Sequence, residues 1–534
     1  MSQLCRTIFP ELVLVCVAGL LFLMGMSNKP STRRFAPAFA LLALAVVFIS
    51  QLGEVFAVLG SASDPWRSME ITQFARYIRL ATAGLGILLV MLAWPSEPDF
   101  TGGPAMEFGQ ECCEFFGLML LSICGLFLVA GANDIMLLFL GIELASLPTY
   151  IMVSISRPLP VAQEAGVKYF FLGAMAAAVM LFGFSYLYGT TGTVYLQGTT
   201  DAGGTVLAGI DQIMGRGFTS WEMLALVLLI VGFAFKMVAV PLHYYAPDVY
   251  QGAATPVTAF ISYIPKAAGF VALIKVFYAT TGGTWVTPRE IQELIWWLAV
   301  LTMTFGNIVA LRQHNVKRIL AYSSIAHTGY MLVGITALVS SRSPQVQHDA
   351  LLAVLFYLVM YGLTNVAAFG VLILLPSRES RPATSAETIE DIAGMGRTHV
   401  GLGLAMSAAC FSLIGMPLTV GLVGKVFLFE PALHAGLVGL AVIMAINAAI
   451  SAAYYLRIIA ALFLRPVITP ALAPVRVTWP SPVLTAVALS AIGLVLLGTY
   501  FPLTNRVADR AATATMMELT PPASGQIITA SASR

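Results

Sequence analysis

The chain has 534 residues, 58% of them hydrophobic and only 10% charged, with a formal net charge of +2. Ordinary soluble domains are about a quarter charged, so a water-soluble fold of this size could not bury so much apolar side chain, whereas a bilayer is itself an apolar solvent. The small net charge, with no basic run and no aromatic–basic patch, leaves no footprint for nucleic acid.

Apolar stretches long enough to span follow one another at 9–27, 36–59, 73–93, 112–131, 134–155, 164–188, 222–245, 255–279, 291–311, 317–339, 349–376, 402–430, 433–464 and 481–503. They predict an all-α polytopic membrane protein of about fourteen transmembrane helices, lying in a lipid bilayer. One Arg precedes the first run, but no small-x-small cleavage site stands before Ser27-Asn28-Lys29-Pro30, so residues 9–27 read as a retained helix. The longest stretches must tilt, bend or break. Two polar connections stand out: residues 190–220, rich in Gly and Thr, and residues 377–400, which mix both charges with Pro. The polar tail beyond about 505 is expected to be poorly ordered.

Cys5, Cys16, Cys112, Cys113, Cys124 and Cys410 form no CxxC and no Cys/His cluster, so they read as small apolar helix residues rather than metal ligands. There is no GxGxxG after a strand, no P-loop and no zinc motif. If a redox reaction drives this chain, another subunit performs it.

With an even helix count both termini share a side. Alternate loops then carry thirteen Lys and Arg opposite the termini and ten on the termini side, which favours both termini outside the cytoplasm. The acidic run Glu97, Asp99, Glu107, Glu111 and Glu114 falls in a loop this topology makes cytoplasmic, but acidic residues weigh little in orientation.

With the Lys and Arg near span ends counted with the loops, five basic residues are left inside, all lysines: Lys168, Lys236, Lys266, Lys275 and Lys425. Arginine is effectively always charged, whereas a lysine in a helix bundle is able to give up its proton. A charge at the bilayer centre costs at least about 2.5–3.5 kcal/mol, so each needs a partner or a purpose. Glu143, in the middle of LLFLGIELASLPTY, is the acidic partner; Asp134, at the start of that span, reads as a helix cap. A Glu–Lys pair that opens when a neighbouring charge moves is a switch. The plainer alternative is a fixed ion pair locking two helices.

Lys236 lies five residues before Pro241, where the missing backbone donor predicts a break. Lys425 lies eight residues after Pro417, among Gly415, Gly421 and Gly424. Two Pro/Gly-interrupted helices, one per half and each with a lysine, point to an inverted-repeat transporter, against the alternative of tolerated kinks. Lys266 follows Pro265 and begins a helix portion able to lie between the two breaks. Lys275 is near the end of its span and placed to snorkel, and Lys168, four residues after Glu164, equally suits a surface pair. His243 and His327 are candidate proton relays because imidazole titrates near neutrality, although a lone histidine is more often structural. The hydroxyls of AYSSIAHTGY either carry ordered water or pack helices.

The stretches HYYAPDVYQGAATPVTAFISYIPKAAGF, NVKRILAYSSIAHTGYMLVG and GMPLTVGLVGKVFLF resemble the antiporter-like membrane subunits of respiratory complex I. The APDVYQGAATPVTAF form resembles the N branch of that family, where the L and M branches and the Mrp antiporters typically have a PDAH-type version. The resemblance covers roughly residues 110–465. It implies fourteen helices with two inverted five-helix repeats and two broken helices. Helices 1–3 would lie in 1–110, the first repeat in 111–280, the second in 281–465, and the last helix with a polar tail in 466–534. By motif match, Glu143 is the glutamate beside Lys236, Lys266 the connecting lysine, Lys425 the lysine leading outside, Glu164 an acidic position opening a helix, and His243 a histidine just past the first break. The lysine after the second break is typically glutamate in the M branch. The resemblance implies proton translocation in the inner (plasma) membrane as part of NADH:quinone oxidoreductase. Protons would move from the cytoplasm toward Lys266, through Lys236 and Lys425, and out. FMN, iron–sulfur clusters and quinone are expected in partner subunits, both membrane and peripheral, and no cofactor or metal in this chain. The alternatives are a membrane subunit of a cation/proton antiporter or membrane-bound hydrogenase, an independent secondary transporter, and a static scaffold.

Overall fold

The computed structural model describes residues 7–27, 30–56, 62–63, 68–95, 111–157, 159–200, 206–214, 218–375, 386–466, 481–499, 509 and 513. Cys5, Lys29, Glu97, Asp99, Glu107, Arg378, Arg381, Arg476 and nearly all of the tail lie outside the described residues.

A bilayer core supplies no hydrogen-bond partners, so a spanning stretch must close its own backbone bonds, and the helix does this locally. In chain order the helices are α1 Phe9–Gly25, α2 Ala36–Phe56, α3 Gln73–Leu92, α4 Cys112–Gly131, α5 Ile135–Ile155, α6 Pro160–Thr191, α7 Ser220–Met237, α8 Ala246–Gly252, α9 Thr255–Ile261, α10 Ile264–Thr280, α11 Arg289–Ala310, α12 Val316–Ser340, α13 Pro344–Leu374, α14 Val400–Ile414, α15 Val420–His434, α16 Val438–Leu464 and α17 Pro482–Thr499. Short one-turn helices and two small two-stranded antiparallel pieces, Ala62–Ser63 with Glu70–Ile71 and Thr199–Thr200 with Val206–Leu207, lie in the connections. Among the described residues, eleven helical stretches are long and apolar enough to cross a membrane, and α1 and α14 are shorter apolar helices.

Local chemistry sets the ends. Asp134 is the cap expected from the sequence: its Oδ1 accepts from Leu137 N at 2.6 Å. Thr219 and Glu222 form a reciprocal capping box at the start of α7. Gly125 lets α4 and α5 touch, because a Cβ there would lie 2.2 Å from Ala145 N.

Both expected interruptions are present. α7 ends where Val238 takes a left-handed conformation (φ 64°), three residues before Pro241. For a β-branched residue that geometry costs on the order of 1–3 kcal/mol, so neighbours must hold it. They do: Tyr245 Oη donates to Phe235 O at 2.9 Å, Thr328 Oγ1 to Met237 O at 2.7 Å, and Val240 N to Thr302 Oγ1 at 3.0 Å. α14 ends at Gly415 (φ 87°), and α15 restarts after Leu418 (φ 70°). The two halves touch at Gly421, where a Cβ would lie 1.7 Å from Ser412 O. Between the breaks run α9–α10, buried at every residue but Lys275, and the almost wholly buried α12.

A candidate proton-carrying line

Glu143, Ser146 and Tyr150 are spaced i, i+3, i+7 and so share one face of α5. That face meets the last turn of α7. Lys236 Nζ donates to Glu143 Oε1 at 2.8 Å, to Ser146 Oγ at 3.0 Å and to Tyr150 Oη at 3.2 Å. Lys236 is 3% exposed. The ammonium's three donors thus find one charged and two neutral acceptors.

Across α10, Gly269 abuts the Lys236 side chain. One turn earlier, Lys266 Nζ donates to Ser324 Oγ at 2.6 Å and Ser324 O at 2.8 Å, and lies 4.5 Å from the centre of the Tyr361 ring. Tyr250 and Ser324 share a 3.2 Å hydroxyl contact. Three residues further along α12, His327 has both ring nitrogens engaged: Nδ1 with Tyr357 Oη at 2.8 Å and Nε2 with Tyr455 Oη at 3.2 Å. Tyr455 Oη in turn contacts Ser323 Oγ. The Tyr361 ring also lies 5.2 Å from the His327 ring, and Tyr330, 5.4 Å from His327, leads on to Lys425.

Lys425 occupies the second break differently. It lies on α15 and reaches back to the carbonyls of Leu413 (2.9 Å) and Ile414 (2.6 Å). These are carbonyls at the end of α14, groups that lack partners within their own helix and form its negative pole. Tyrosine rings thus link Lys266 to His327 and His327 to Lys425, and Lys236 reaches the helix of Lys266 by packing on Gly269.

Other sequence-predicted residues stand apart. Glu164 is exposed and pairs with Lys168 at 2.8 Å; Lys168 continues to Asp248 at 3.2 Å, and Asp248 to Arg318 at 2.8 Å, making a partly solvated chain of charges. His243 lies in the first break with its ring centre 4.6 Å from that of Phe305, and its Nδ1 has no hydrogen-bond partner among the described residues. Lys275 donates to Ala132 O at 2.5 Å and, with Glu70, lines a separate cavity of about 40 Å³.

The expectation that no arginine lies within the spans is corrected. Arg76 and Arg79 lie inside α3, 3% and 1% exposed. Arg79 pairs with the buried Glu11 of α1, and Arg76 lies 4.0 Å from Glu54 of α2. Both stand in the first two turns of α3, close to the preceding loop, and the carboxylates that stabilise them come from other helices. Lys317, which the sequence places with a loop, is the second residue of α12 and fully buried.

Of the neutral members, Ser324 lies in the hydroxyl-rich stretch AYSSIAHTGY that the sequence points to, whereas Ser146, Tyr150, Tyr357, Tyr361 and Tyr455 are missed. The spacing from Glu143 is the signal available for the first two. Nothing local marks the tyrosines, which come from other helices.

Two broken helices bracketing a buried row of lysines and histidine define an antiporter-type membrane subunit. Residues 132–451 match the family model described as NADH:quinone oxidoreductase/Mrp antiporter, TM. NADH-quinone oxidoreductase subunit N of Myxococcus xanthus is 39% identical over 408 residues, covering 73% of this chain and 76% of that one. A chain of respiratory complex I from Thermus thermophilus with bound aureothin superposes with a TM-score of 0.72 at 29% identity, over 94% of this chain and 99% of that one. A chain of the Mrp complex from Dietzia shares the fold, with a TM-score of 0.77 at 19% identity over 97% and 99% of the two chains. The chain belongs to the family of subunit N of NADH:quinone oxidoreductase.

Proposed function

We propose that this chain translocates protons as a membrane subunit of NADH:quinone oxidoreductase, along the row Lys236, Lys266, His327, Lys425, with the Glu143–Lys236 pair as the switch. The observation that carries this reading is the run of shared rings from Lys266 to Lys425. Lys266 and His327 share the Tyr361 ring, His327 and Lys425 share Tyr330, and Lys236 packs against Gly269 on the helix of Lys266. FMN, iron–sulfur clusters and quinone belong to partner subunits, and electron transfer there supplies the energy. Residues 111–280 and 281–465 are the two inverted repeats, each contributing one broken helix. Both termini lie outside the cytoplasm in the inner membrane, and protons arrive from the cytoplasmic side of the first repeat.

This chain's residues have defined tasks. Glu143 is the counter-ion of the Lys236 ammonium. When positive charge approaches Glu143, or negative charge leaves the line, the pair loosens and the proton passes on through Ser324 and the phenols around His327. Lys425 receives it against the carbonyls at the end of α14 and releases it outward.

The test is Lys236→Ala in the intact enzyme, purified and reconstituted in liposomes. The complex should assemble while NADH-driven lumen acidification falls. An assembled variant with normal turnover and normal protons per NADH sinks the mechanism. If the chain co-purifies with antiporter or hydrogenase subunits and without NADH-dependent quinone reduction, the row stands but its driving reaction is a different one.

A further inference from the structure

The connection leading from α13 toward α14 sends one carboxylate into the bundle. Glu387 Oε1 accepts from Arg157 at 2.6 Å and from Lys317 at 3.2 Å. Arg157 stands two residues past the end of α5, the helix of Glu143. Lys317 is the second residue of α12, the helix of Ser324 and His327. The same Lys317 ammonium donates to Ala253 O at 2.7 Å and Gln251 O at 3.3 Å. Those carbonyls close α8, the helix that resumes after the break beyond Lys236. Ser156, the cap of α5, joins the corner by accepting from Ala254 N at 3.1 Å.

Glu387 is itself held by backbone. Val316 N donates to Glu387 O at 2.7 Å, Ile389 N donates to His314 O at 3.1 Å, and Thr388 and Asp391 form a capping box immediately after it. The carboxylate is thus a fixed charge facing two cations that have almost no access to water: Arg157 is 6% exposed and Lys317 0%. Removing the Glu387 charge takes from both buried cations the counter-ion they share.

We infer that Glu387 is a positioning residue, the shared counter-ion that sets the ends of α5, α8 and α12 relative to one another. This rests on the proton-translocation reading. The Lys236–Glu143 contact crosses from α7 to α5 and the Lys266–Ser324 contact from α10 to α12, and hydrogen bonds of 2.6–2.8 Å do not survive helix shifts of about 1 Å. Glu387 touches neither pair, yet it fixes one end of α5 and one end of α12.

The experiment compares Glu387→Gln, which keeps the shape and removes the charge, with Glu387→Asp, both in the intact reconstituted enzyme. Two quantities are read: amide hydrogen exchange over residues 246–257 and 316–320, and protons moved per NADH oxidised. Glu387→Gln should raise exchange in both segments about tenfold or more and lower the proton yield, and Glu387→Asp should restore both toward wild type. If Glu387→Gln does not assemble, the charge-balanced Glu387→Gln/Arg157→Gln variant is read instead, with the same raised exchange and lowered yield expected. Unchanged exchange overturns the proposal, as does raised exchange with an unaltered proton yield, or an Asp variant as defective as the Gln variant. Exchange reports on the clamp without reference to proton movement. Normal pumping by Lys236→Ala, run alongside, would instead strike the underlying reading.

Discussion

Replacing Glu143 with glutamine removes one charge and keeps the volume, so the effect on Lys236 is electrostatic. At the observed 2.8 Å and an effective dielectric of about 20, the Coulomb attraction is about 6 kcal/mol. Taking both groups out of water offsets part of this. Losing one partner of a buried pair costs about 3–5 kcal/mol in practice. A membrane potential of about 100 mV moves one charge with about 2.3 kcal/mol, less than either figure. The potential alone therefore does not open the pair, and a second charge must arrive or depart nearby. In Glu143→Gln there is no pair to open. Lys236 keeps Ser146, Tyr150 and a neutral amide oxygen as acceptors, and the line loses the charge through which a neighbouring charge acts. Since each 1.4 kcal/mol is a factor of ten in rate, the coupled proton flux should fall at least about tenfold, while Glu143→Asp should retain part of it. The assay is lumen acidification per NADH oxidised in liposomes containing the assembled complex. Wild-type yield and turnover from assembled Glu143→Gln would refute the reasoning outright.

Three further outcomes are expected. Ser324→Ala leaves Lys266 with a backbone carbonyl but no hydroxyl, a loss of about 1.5–3 kcal/mol for a hydrogen bond to a charged group, and single-turnover proton release should slow, with Ser324→Thr restoring it. Arg79→Leu abandons Glu11 in the interior and should destabilise the N-terminal helices by about 3–5 kcal/mol, seen as a lower melting temperature in detergent with unchanged proton yield per assembled complex. The cations at Glu387 hold its carboxyl below the usual carboxylate range, against the opposing effect of burial. A carboxylate whose folded-state value is depressed contributes stability that is full above the unfolded value and is lost as pH falls through the folded one. Exchange at residues 316–320 should therefore stay slow at neutral pH, rise only under acid conditions below the ordinary glutamate range, and lose that acid sensitivity in Glu387→Gln.

The breaks were legible because Pro241 and Gly415 are exceptions to helix chemistry that no tertiary context hides. The lysines were legible because charges are scarce in apolar runs. Pairings were another matter. Glu387 and Arg157 lie 230 residues apart, and no local pattern links them. Arg76 and Arg79 looked like loop residues because they stand near the start of a span, and only the approach of Glu11 and Glu54 from other helices explains how they stay inside. Glu164 was singled out by a motif, but α6 turns it to the outside, beside Lys168. The tyrosines were the least legible. A phenol on an apolar helix reads as packing until the partner helix is known, and those of Tyr357 and Tyr455 come from α13 and α16 to meet one histidine on α12.

That meeting has a kinetic consequence. Hydroxyls and a neutral imidazole each donate on one side and accept on the other, so Tyr357, His327, Tyr455 and Ser323 form a row with a sense of direction. A proton handed along it leaves every O–H pointing the opposite way and exchanges the tautomer of the ring. No second proton can follow in the same direction until the row turns back. The turning needs only rotation about single C–O bonds and a proton exchange on the ring, with no movement of backbone, but it happens among tightly packed aromatic rings. On the proposed route the row would act as a turnstile: it would pass one charge per reset, with the waiting time between charges set by buried phenols regaining their orientation.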